Sequence, residues 1–297
     1  MSTNSGTSTP IAQQDLDPAP QQGLSTVPPQ DAPPVPMGEL QQSEHGEGHD
    51  YAAGSPHIRH HSVRERLVRT IHTTVADTIR RNGRCLVTEV GAGHGTFTDH
   101  LLAAGAEVVV TEMSAPSADF LRERYRYNPR VTVRHDPYGE AAFEGERPDL
   151  VACLSVLHHI PDYLGTVAAL AERITPGGSF LSFQDPLYYP RRNAASLGLD
   201  RAAYAWWRIG QGGFARGAAT RLRRLRGELD ESNPADMVEY HVVRDGCDER
   251  ALHGILRHEF ASVEVDRYWS TQSPLLQYVG ERFGPYTTFG IVARDRK

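Results

Sequence analysis

Residues 89–95 read Glu-Val-Gly-Ala-Gly-His-Gly, and this stretch decides the fold class of the 297-residue chain. An apolar run, Cys85-Leu86-Val87, precedes it, and a helix-like pattern begins at Thr96. Glycine allows the backbone to turn tightly and to approach a ligand closely. The N–H groups at the start of a helix favour a polar or anionic ligand group. The stretch therefore predicts a buried strand, a ligand-binding turn and a helix.

The spacing of the glycines indicates which class of ligand the loop binds. Gly91, Gly93 and Gly95 form the pattern G-x-G-x-G, whereas a dinucleotide fingerprint has G-x-G-x-x-G. A second acid, Glu112, ends the next predicted strand at 108–111. A carboxylate at that place can accept both hydroxyls of a ribose. The loop together with this acid indicates a cofactor that contains a nucleoside.

These residues resemble those of the class I S-adenosylmethionine (SAM)-dependent methyltransferases, from about residue 51 to the C-terminus. Further motifs match in order: His135-Asp136, the exit loop Ser-Val-Leu-His-His-Ile at 155–160, and Thr-Pro-Gly-Gly at 175–178. The resemblance implies SAM as the cofactor, with the glycine loop at its methionyl part, Glu112 at the ribose and Asp136 at the adenine amine. The cofactor-binding residues that it implies are Glu89, Gly91, Ala92, Gly93, Gly95, Thr96, Glu112, Met113, Asp136 and Leu154.

Strand and helix patterns alternate along the chain, which predicts parallel strands joined by right-handed crossovers. The predicted strands lie near 85–90, 106–111, 130–134, 149–154, 178–184, 262–269 and 287–294. The predicted helices lie near 63–80, 96–104, 115–126, 163–174 and 248–259. The resemblance implies an α/β, Rossmann-like sheet of seven strands, six parallel and the last antiparallel, with helices on both faces and a helical cap.

Composition and the resemblance together divide the chain into five parts. The first is rich in Pro, Gln, Ser, Thr and Ala, and so little apolar surface predicts disorder. The parts are a leader (1–42), an N-terminal lid and helix (43–83), the SAM-binding core (84–186), a helical cap or substrate insertion (187–240) and the C-terminal part of the core (241–297). A second insertion, at 273–286, is expected to border the same opening as the cap.

Charge and composition restrict the partners. The net charge is −6, so there is no global electrostatic case for nucleic acid, and the basic run at 221–226 is interpreted as a solvated helix face. No apolar run reaches membrane-spanning length. The histidines at 57–61 are interpreted as an exposed helix start, and no metal site is expected. We expect a cytoplasmic enzyme with a small-molecule substrate and no nucleic-acid or membrane partner; whether it forms a homo-oligomer stays open.

The candidate catalytic residues follow the fourth and fifth strands, where ligands bind in open α/β sheets. His158 and His159 lie at the fourth exit, and histidine takes up protons near neutral pH. Because neighbours in an extended segment point in opposite directions, we expect one in the pocket and one packed inward, with His158 the preferred base. Asp185 either orients a histidine, binds substrate or serves the turn before Pro186. Tyr51, in a segment that resembles a lid, either contacts the sulfonium or substrate or packs the lid.

The insertion after the fifth strand is rich in aromatic residues, which favours a small, largely apolar substrate; its tryptophans would also pack a cap onto the sheet. The candidate substrate-binding residues are His57, Tyr188, Trp206, Trp207 and Phe214. The chain also resembles bacterial secondary-metabolite methyltransferases, including those that methylate an indole carbon. This implies C-methylation of an indole-type ring as the finer hypothesis, with His158, Tyr51 and Asp185 as the candidate relay for the ring N–H proton. O- or N-methylation of a small aromatic or prenylated metabolite is the alternative.

Two other classes of protein share parts of the pattern. An NAD-dependent oxidoreductase is disfavoured by the glycine spacing, by the acid at Glu89 and by the lack of a downstream Tyr-x-x-x-Lys sequence. A non-catalytic SAM-binding regulator would keep the cofactor loop without a deep acceptor pocket, and the aromatic insertion argues against it.

Overall fold

The computed structural model describes residues 55–210 and 246–297. The strands are β1 (Leu86–Val90), β2 (Glu107–Glu112), β3 (Val131–His135), β4 (Leu150–Leu154), β5 (Ser179–Pro186), β6 (Phe260–Tyr268) and β7 (Thr288–Arg296). The helices are α1 (Pro56–Arg59), α2 (His61–Asn82), α3 (Thr98–Ala103), α4 (Ala115–Arg124), α5 (Tyr163–Arg173), α6 (Ala194–Gly210), α7 (Glu249–Glu259) and α8 (Pro274–Phe283).

The seven strands form one sheet in the order β3-β2-β1-β4-β5-β7-β6. Strands β1 to β5 are parallel to one another, and β7 runs antiparallel between β5 and β6. Six strands therefore share one direction and the last opposes them, which confirms the predicted fold class. The chain reverses its order between β3 and β4, so the exits of β1 and β4 lie side by side, where such sheets bind ligands.

Helices cover both faces of the sheet. The α2-side core holds buried side chains of α2 and the sheet, among them Leu67, Ile71 and Phe183. Its helix forms because apolar residues recur at every fourth position, and it ends at Gly83, whose φ is 77°. The α5-side core holds side chains of α5 and α7 with the opposite face of the sheet, among them Leu170 and Phe180. The two cores fix the sheet edge at which the candidate site lies.

The structure departs from the sequence-based expectations in a few places. Helix α3 begins at Thr98, two residues after the predicted start, because turns occupy the end of the glycine loop. The exit of β4 is a 3₁₀ turn at Leu157–His159 rather than an extended loop. The second insertion contains α8, which the sequence analysis did not predict. The basic run at 221–226 and most of the predicted cap lie outside the described residues. None of the described helices is long and apolar enough to cross a membrane.

Candidate functional site

The glycine loop after β1 needs glycine at each of its three positions. Gly91, Gly93 and Gly95 have φ values of 67°, 56° and 81°, in the left-handed region that disfavours other residues. A Cβ on Gly91 would lie 2.6 Å from Cγ2 of Val156, and one on Gly95 would lie 2.7 Å from the hydroxyl of Tyr125. The loop is therefore a tight backbone cradle at the exits of β1 and β4.

Glu112 joins this cradle to the exit of β2. Its Oε2 accepts a hydrogen bond from the Gly93 amide at 2.9 Å, and its Oε1 accepts one from the Ser114 amide at 2.9 Å. Burial raises the pKa of this carboxyl, and the hydrogen bonds from Ser114 and Gly93 oppose that shift. A carboxylate has about four acceptor positions, so this one keeps acceptor capacity for a ligand hydroxyl.

Glu89 lies beneath the loop as a second buried acid. Its Oε2 accepts a hydrogen bond from the Thr98 hydroxyl at 2.6 Å. Burial raises the pKa of Glu89 to about 7, and the bond from Thr98 only partly opposes the shift. The acid therefore ties the end of β1 to the start of α3 and titrates near neutral pH.

Asp136 lies at the exit of β3. Its amide donates to the Glu112 carbonyl at 2.8 Å. Its Oδ1 accepts hydrogen bonds from the amides of Glu140 and Ala141 at 2.8 and 3.0 Å. Met113 lies beside it, and its carbonyl contacts His135 Nε2 at 3.1 Å. The side chain thus shapes the loop that follows β3, at the edge where the resemblance places the adenine.

His158 and Asp185 meet across the exits of β4 and β5. Nδ1 of His158 lies 2.8 Å from Oδ1 of Asp185, and the same oxygen accepts the His158 amide at 3.2 Å. Asp185 is fully buried, and the His158 side chain is 10% exposed. Burial raises the pKa of Asp185, and the hydrogen bonds from His158 oppose the rise. The pair is a buried carboxylate with an imidazole held at the edge of the site.

The two adjacent histidines do not point in opposite directions, so this part of the sequence prediction was wrong. The rings of His158 and His159 are neighbours, with centroids 4.1 Å apart. The reason is the 3₁₀ turn at Leu157–His159, in which successive side chains are about 120° apart rather than on opposite faces.

The histidines near the start of α2 are also less exposed than predicted. His57 and His60 are buried, whereas His61 is exposed. The His57 ring stacks on Phe97 with centroids 5.4 Å apart, and His60 Nε2 lies 2.7 Å from the carbonyl of Thr271. Burial, followed by the proximity of His158, lowers the pKa of His57 to about 3. His57 is therefore a neutral ring near the His158–Asp185 pair.

Comparisons with known proteins agree with this architecture. The family model described as a methyltransferase domain matches residues 59–227, more than half of the chain. This chain belongs to that methyltransferase family. Its fold is that of the class I enzymes, and its cofactor is SAM. Residues 59–227 include β1 to β5 and with them both buried acids of the glycine loop and the His158–Asp185 pair.

Individual relatives match only part of the methyltransferase. The ubiquinone biosynthesis O-methyltransferase of Aromatoleum aromaticum is 33% identical over 94 residues, which cover 31% of this chain and 40% of that protein. The protein of the same name from Methylococcus capsulatus is 32% identical over 111 residues, covering 36% and 44%. The matches thus span less than half the length of these relatives. Among solved structures, the CurJ carbon methyltransferase has a TM-score of 0.51 at 14% identity, covering 87% of this chain and 61% of that one. That likeness shows the fold.

The residues of the cradle fit SAM. The loop after β1 leaves no room for a side chain at Gly91 or Gly95, where a Cβ would meet Val156 or Tyr125. Glu112 offers a buried carboxylate at the exit of β2, the group that accepts ribose hydroxyls in such folds. Ala92, Thr96 and Leu154 lie along the same edge, at the loop and at the end of β4. Their contacts with the cofactor stay predictions.

Several candidate residues of the methyltransferase are not brought into the site by the described structure. Tyr51 and Phe214 lie outside the described residues, and Trp206 and Trp207 lie in α6 with their side chains undescribed. Tyr188 is half-buried, and the Arg191 guanidinium lies 4.8 Å from its ring centroid. Among residues 55–210 and 246–297, no group of three or more histidine, cysteine or acidic side chains could hold a metal ion.

The sequence analysis missed residues that support the site from behind. The single hydroxyl proton of Tyr125 faces two acceptors, the Gly95 carbonyl at 3.0 Å and Oδ1 of Asp99 at 2.7 Å. Gln184 adopts a positive φ of 69°, and Tyr268 bonds to it. No local pattern marks these residues, because their partners are distant in sequence. From the sequence alone, a tyrosine directly after α4 and a glutamine in a strand are typical of residues that only pack.

Proposed function

We propose that this methyltransferase methylates a small, largely apolar molecule whose nucleophilic atom loses a proton, and that His158 accepts this proton. The observation that carries the proposal is the 2.8 Å contact between His158 Nδ1 and Asp185 Oδ1 at the exits of β4 and β5. A buried acid that holds a histidine at the ligand-binding edge of the sheet is a recurring arrangement for a general base.

The hydrogen bonds of His158 support Nε2 as its basic nitrogen. Oδ1 of Asp185 already accepts the backbone amide of His158, so it acts as an acceptor. An acceptor at 2.8 Å from Nδ1 assigns the ring proton to Nδ1. Nε2 is then the nitrogen that takes up a proton. The carboxylate also stabilises the imidazolium that forms, because it lies against the charged ring without exposure to water.

SAM supplies the methyl group as an electrophile bound to a sulfonium. The glycine loop, Glu112 and Asp136 would hold it at the exits of β1, β2 and β3. With the cofactor on that side, the acceptor lies toward β4 and β5. The residues there position the nucleophile and exclude water, and positioning supplies much of the reduction in the barrier.

The finer proposal is that the nucleophile is a carbon of an indole-type ring. Such a carbon attacks as the ring N–H loses its proton, so the reaction needs a base at a distance from the reacting carbon. His158 with Asp185 supplies that base, and the buried, neutral ring of His57 lies near it. Tyr51 remains a candidate relay residue within the lid segment.

O-methylation of a phenol is the second candidate, and one observation favours it. The matched relatives from Aromatoleum aromaticum and Methylococcus capsulatus are named O-methyltransferases. A phenol has a pKa near that of tyrosine, about 10, so it also gains from a base when it is methylated. The His158–Asp185 pair serves both reactions, and the product distinguishes them.

The experiment is an activity screen of the full chain with SAM against indole, phenol and prenylated acceptors, read by mass spectrometry and by NMR of the product. A methyl group on a ring carbon supports the indole proposal, and one on oxygen supports the phenol alternative. His158→Gln should remove most of the activity, whereas His61→Gln, at an exposed histidine, should not. Full activity of His158→Gln, or cofactor binding without methylation of any acceptor, would overturn the proposal.

A further inference from the structure

Strand β5 contains an irregularity directly before Asp185. Phe183 pairs with Gly290 of β7 and Asp185 pairs with Phe289, so Gln184 is an extra residue in the ladder. Gln184 has a φ of 69°. A positive φ is rare outside glycine and occurs where the surrounding structure imposes it, often at functional sites. The bulge at Gln184 is therefore a candidate for a functional role.

The extra residue changes the face on which Asp185 lies. In a regular strand, residues two apart share a face, so Asp185 would follow Leu181 and Phe183 into the α2-side core. Instead Asp185 pairs with Phe289, whose side chain lies in the α5-side core, and its carboxylate bonds to the His158 ring. A bulge of one residue produces this exchange of faces.

Three hydrogen bonds hold Gln184 in its left-handed conformation. Its amide donates to the Tyr268 hydroxyl at 3.0 Å, and its Oε1 accepts from the same hydroxyl at 3.2 Å. Its Nε2 donates to Oγ of Ser270 at 2.7 Å. Tyr268 is itself fixed by stacking on Phe183, with ring centroids 5.0 Å apart. The side chain and backbone of Gln184 are therefore both anchored to the end of β6.

The exit of β4 has a matching feature. Ser155 has a φ of 61°, and its amide donates to the Phe183 carbonyl at 2.7 Å. This bond joins the two exits one residue before the bulge. The 3₁₀ turn that carries His158 begins two residues after Ser155. Both members of the His158–Asp185 pair thus follow a left-handed residue that is not glycine.

We propose that Gln184 is a positioning residue: its left-handed backbone, anchored by Tyr268 and Ser270, turns Asp185 toward His158. The catalytic meaning of this role rests on the proposed function, in which His158 is the base. The positioning itself is a statement about geometry and does not depend on the acceptor. Gln184 acts through Asp185 and not by contact with substrate.

The test compares Gln184→Gly with Gln184→Val in the full chain. Glycine adopts a positive φ at no steric cost, whereas valine, β-branched, strongly disfavours it. The readout is ¹⁵N NMR of the histidine rings, with the His158 signals assigned by their loss in His158→Gln. We expect Gln184→Gly to keep the protonated Nδ1 of His158 and Gln184→Val to lose it. Tyr268→Phe, which removes two of the three anchoring bonds, should broaden or shift the same signal.

Two results would overturn the proposal. One is an unchanged His158 signal in Gln184→Val, which would mean that the bulge is not needed. The other is an equal loss in Gln184→Gly and Gln184→Val, which would assign the effect to the side chain alone. If Gln184→Val does not fold, Gln184→Ala takes its place, and equality of Ala and Gly overturns the proposal in the same way.

Turnover separates this inference from the proposed function. With an acceptor found in the screen, we expect kcat of Gln184→Val to be at least tenfold below that of Gln184→Gly, with KM little changed. If the NMR signals differ between the two variants while His158→Gln keeps full activity, the positioning role stands and the assignment of the base fails. If neither the signals nor kcat differ, the positioning role fails.

Discussion

Two halves of the same sheet edge use left-handed backbone, and they obtain it by different means. The cofactor half, after β1, places Gly91, Gly93 and Gly95 at its positive φ values. The acceptor half, after β4 and β5, places Ser155 and Gln184 there. Glycine takes such conformations freely. For other residues each costs roughly 1–3 kcal/mol and needs surrounding contacts to hold it. The first half is built by local sequence and the second by tertiary structure.

The buried acids Glu89 and Asp185 also differ in how far away in the sequence their hydrogen-bond partners lie. In the cofactor half, Glu89 has one side-chain partner, the Thr98 hydroxyl nine residues away. In the acceptor half, Asp185 lies 27 residues from His158 in the sequence. It accepts hydrogen bonds from the ring Nδ1 and from the backbone amide of His158. Burial raises the pKa of both acids, and Asp185 has more hydrogen-bond donors that oppose the rise. We therefore expect the two halves to respond differently to substitution and to pH.

The largest effect should come from His158→Ala. Loss of a general base lowers kcat by roughly 10²–10⁴-fold, while SAM affinity should change little because the contact is made in the acceptor half. Steady-state kinetics and titration calorimetry with SAM measure the two quantities. The control is His159→Ala, whose ring is adjacent and which should alter the acceptor KM or stability instead. A normal kcat for His158→Ala with a reduced one for His159→Ala would exchange the two roles.

The comparison of halves also explains what could be predicted from the sequence. The strands and the glycine loop follow from local patterns, because the alternation of elements and the spacing of glycines can be recognised in consecutive residues. The seven-stranded sheet with its last strand antiparallel followed from the resemblance to class I methyltransferases. Glu112 was identified for the same reason. The contact between His158 and Asp185 was one of three interpretations of Asp185. No local sequence pattern predicted the bulge at Gln184. It depends on Tyr268, which lies 84 residues further along the chain.

Glu89 should make stability depend on pH. Its pKa is raised by burial to about 7 from a usual value of 4.5, so the folded state holds a proton that the unfolded state has released between these values. The stabilisation is complete below the lower value and is lost as pH rises through about 7. At 1.36 kcal/mol per pKa unit, the change from about pH 5.5 to pH 8 is roughly 2 kcal/mol.

Urea unfolding at these two pH values, for the natural chain and for Glu89→Gln, measures the effect. The free energy of unfolding of the natural chain relative to Glu89→Gln should fall by roughly 2 kcal/mol at the higher pH, because glutamine does not titrate. A difference that stays constant would mean that Glu89 is ionised in the folded protein throughout this range.

Glu112→Ala should weaken SAM binding at least tenfold, which is about 1.4 kcal/mol or more. The substitution removes the acceptors of two backbone amides together with those proposed for the ribose. Glu107→Ala is the matched control, since it lies on the same strand and is exposed. Titration calorimetry gives both affinities. Equal affinity in the two variants would remove Glu112 from the cofactor site.

The smallest effect, and the one that tests the comparison most directly, is that of Tyr125→Phe. The hydroxyl bonds to the Gly95 carbonyl and to Asp99, and the ring is buried. Phenylalanine keeps the packing and removes the bonds, which costs about 0.5–1.5 kcal/mol. If tertiary contact helps to shape the loop, SAM affinity should fall roughly two- to fivefold. Tyr127→Phe, at an exposed ring, is the control.

Unchanged affinity with a lower melting temperature would mean that the glycines alone define the conformation of the cofactor half. Only the acceptor half would then depend on tertiary contacts. A loss of affinity would show that the glycine loop, although local in sequence, also depends on a residue 30 positions away.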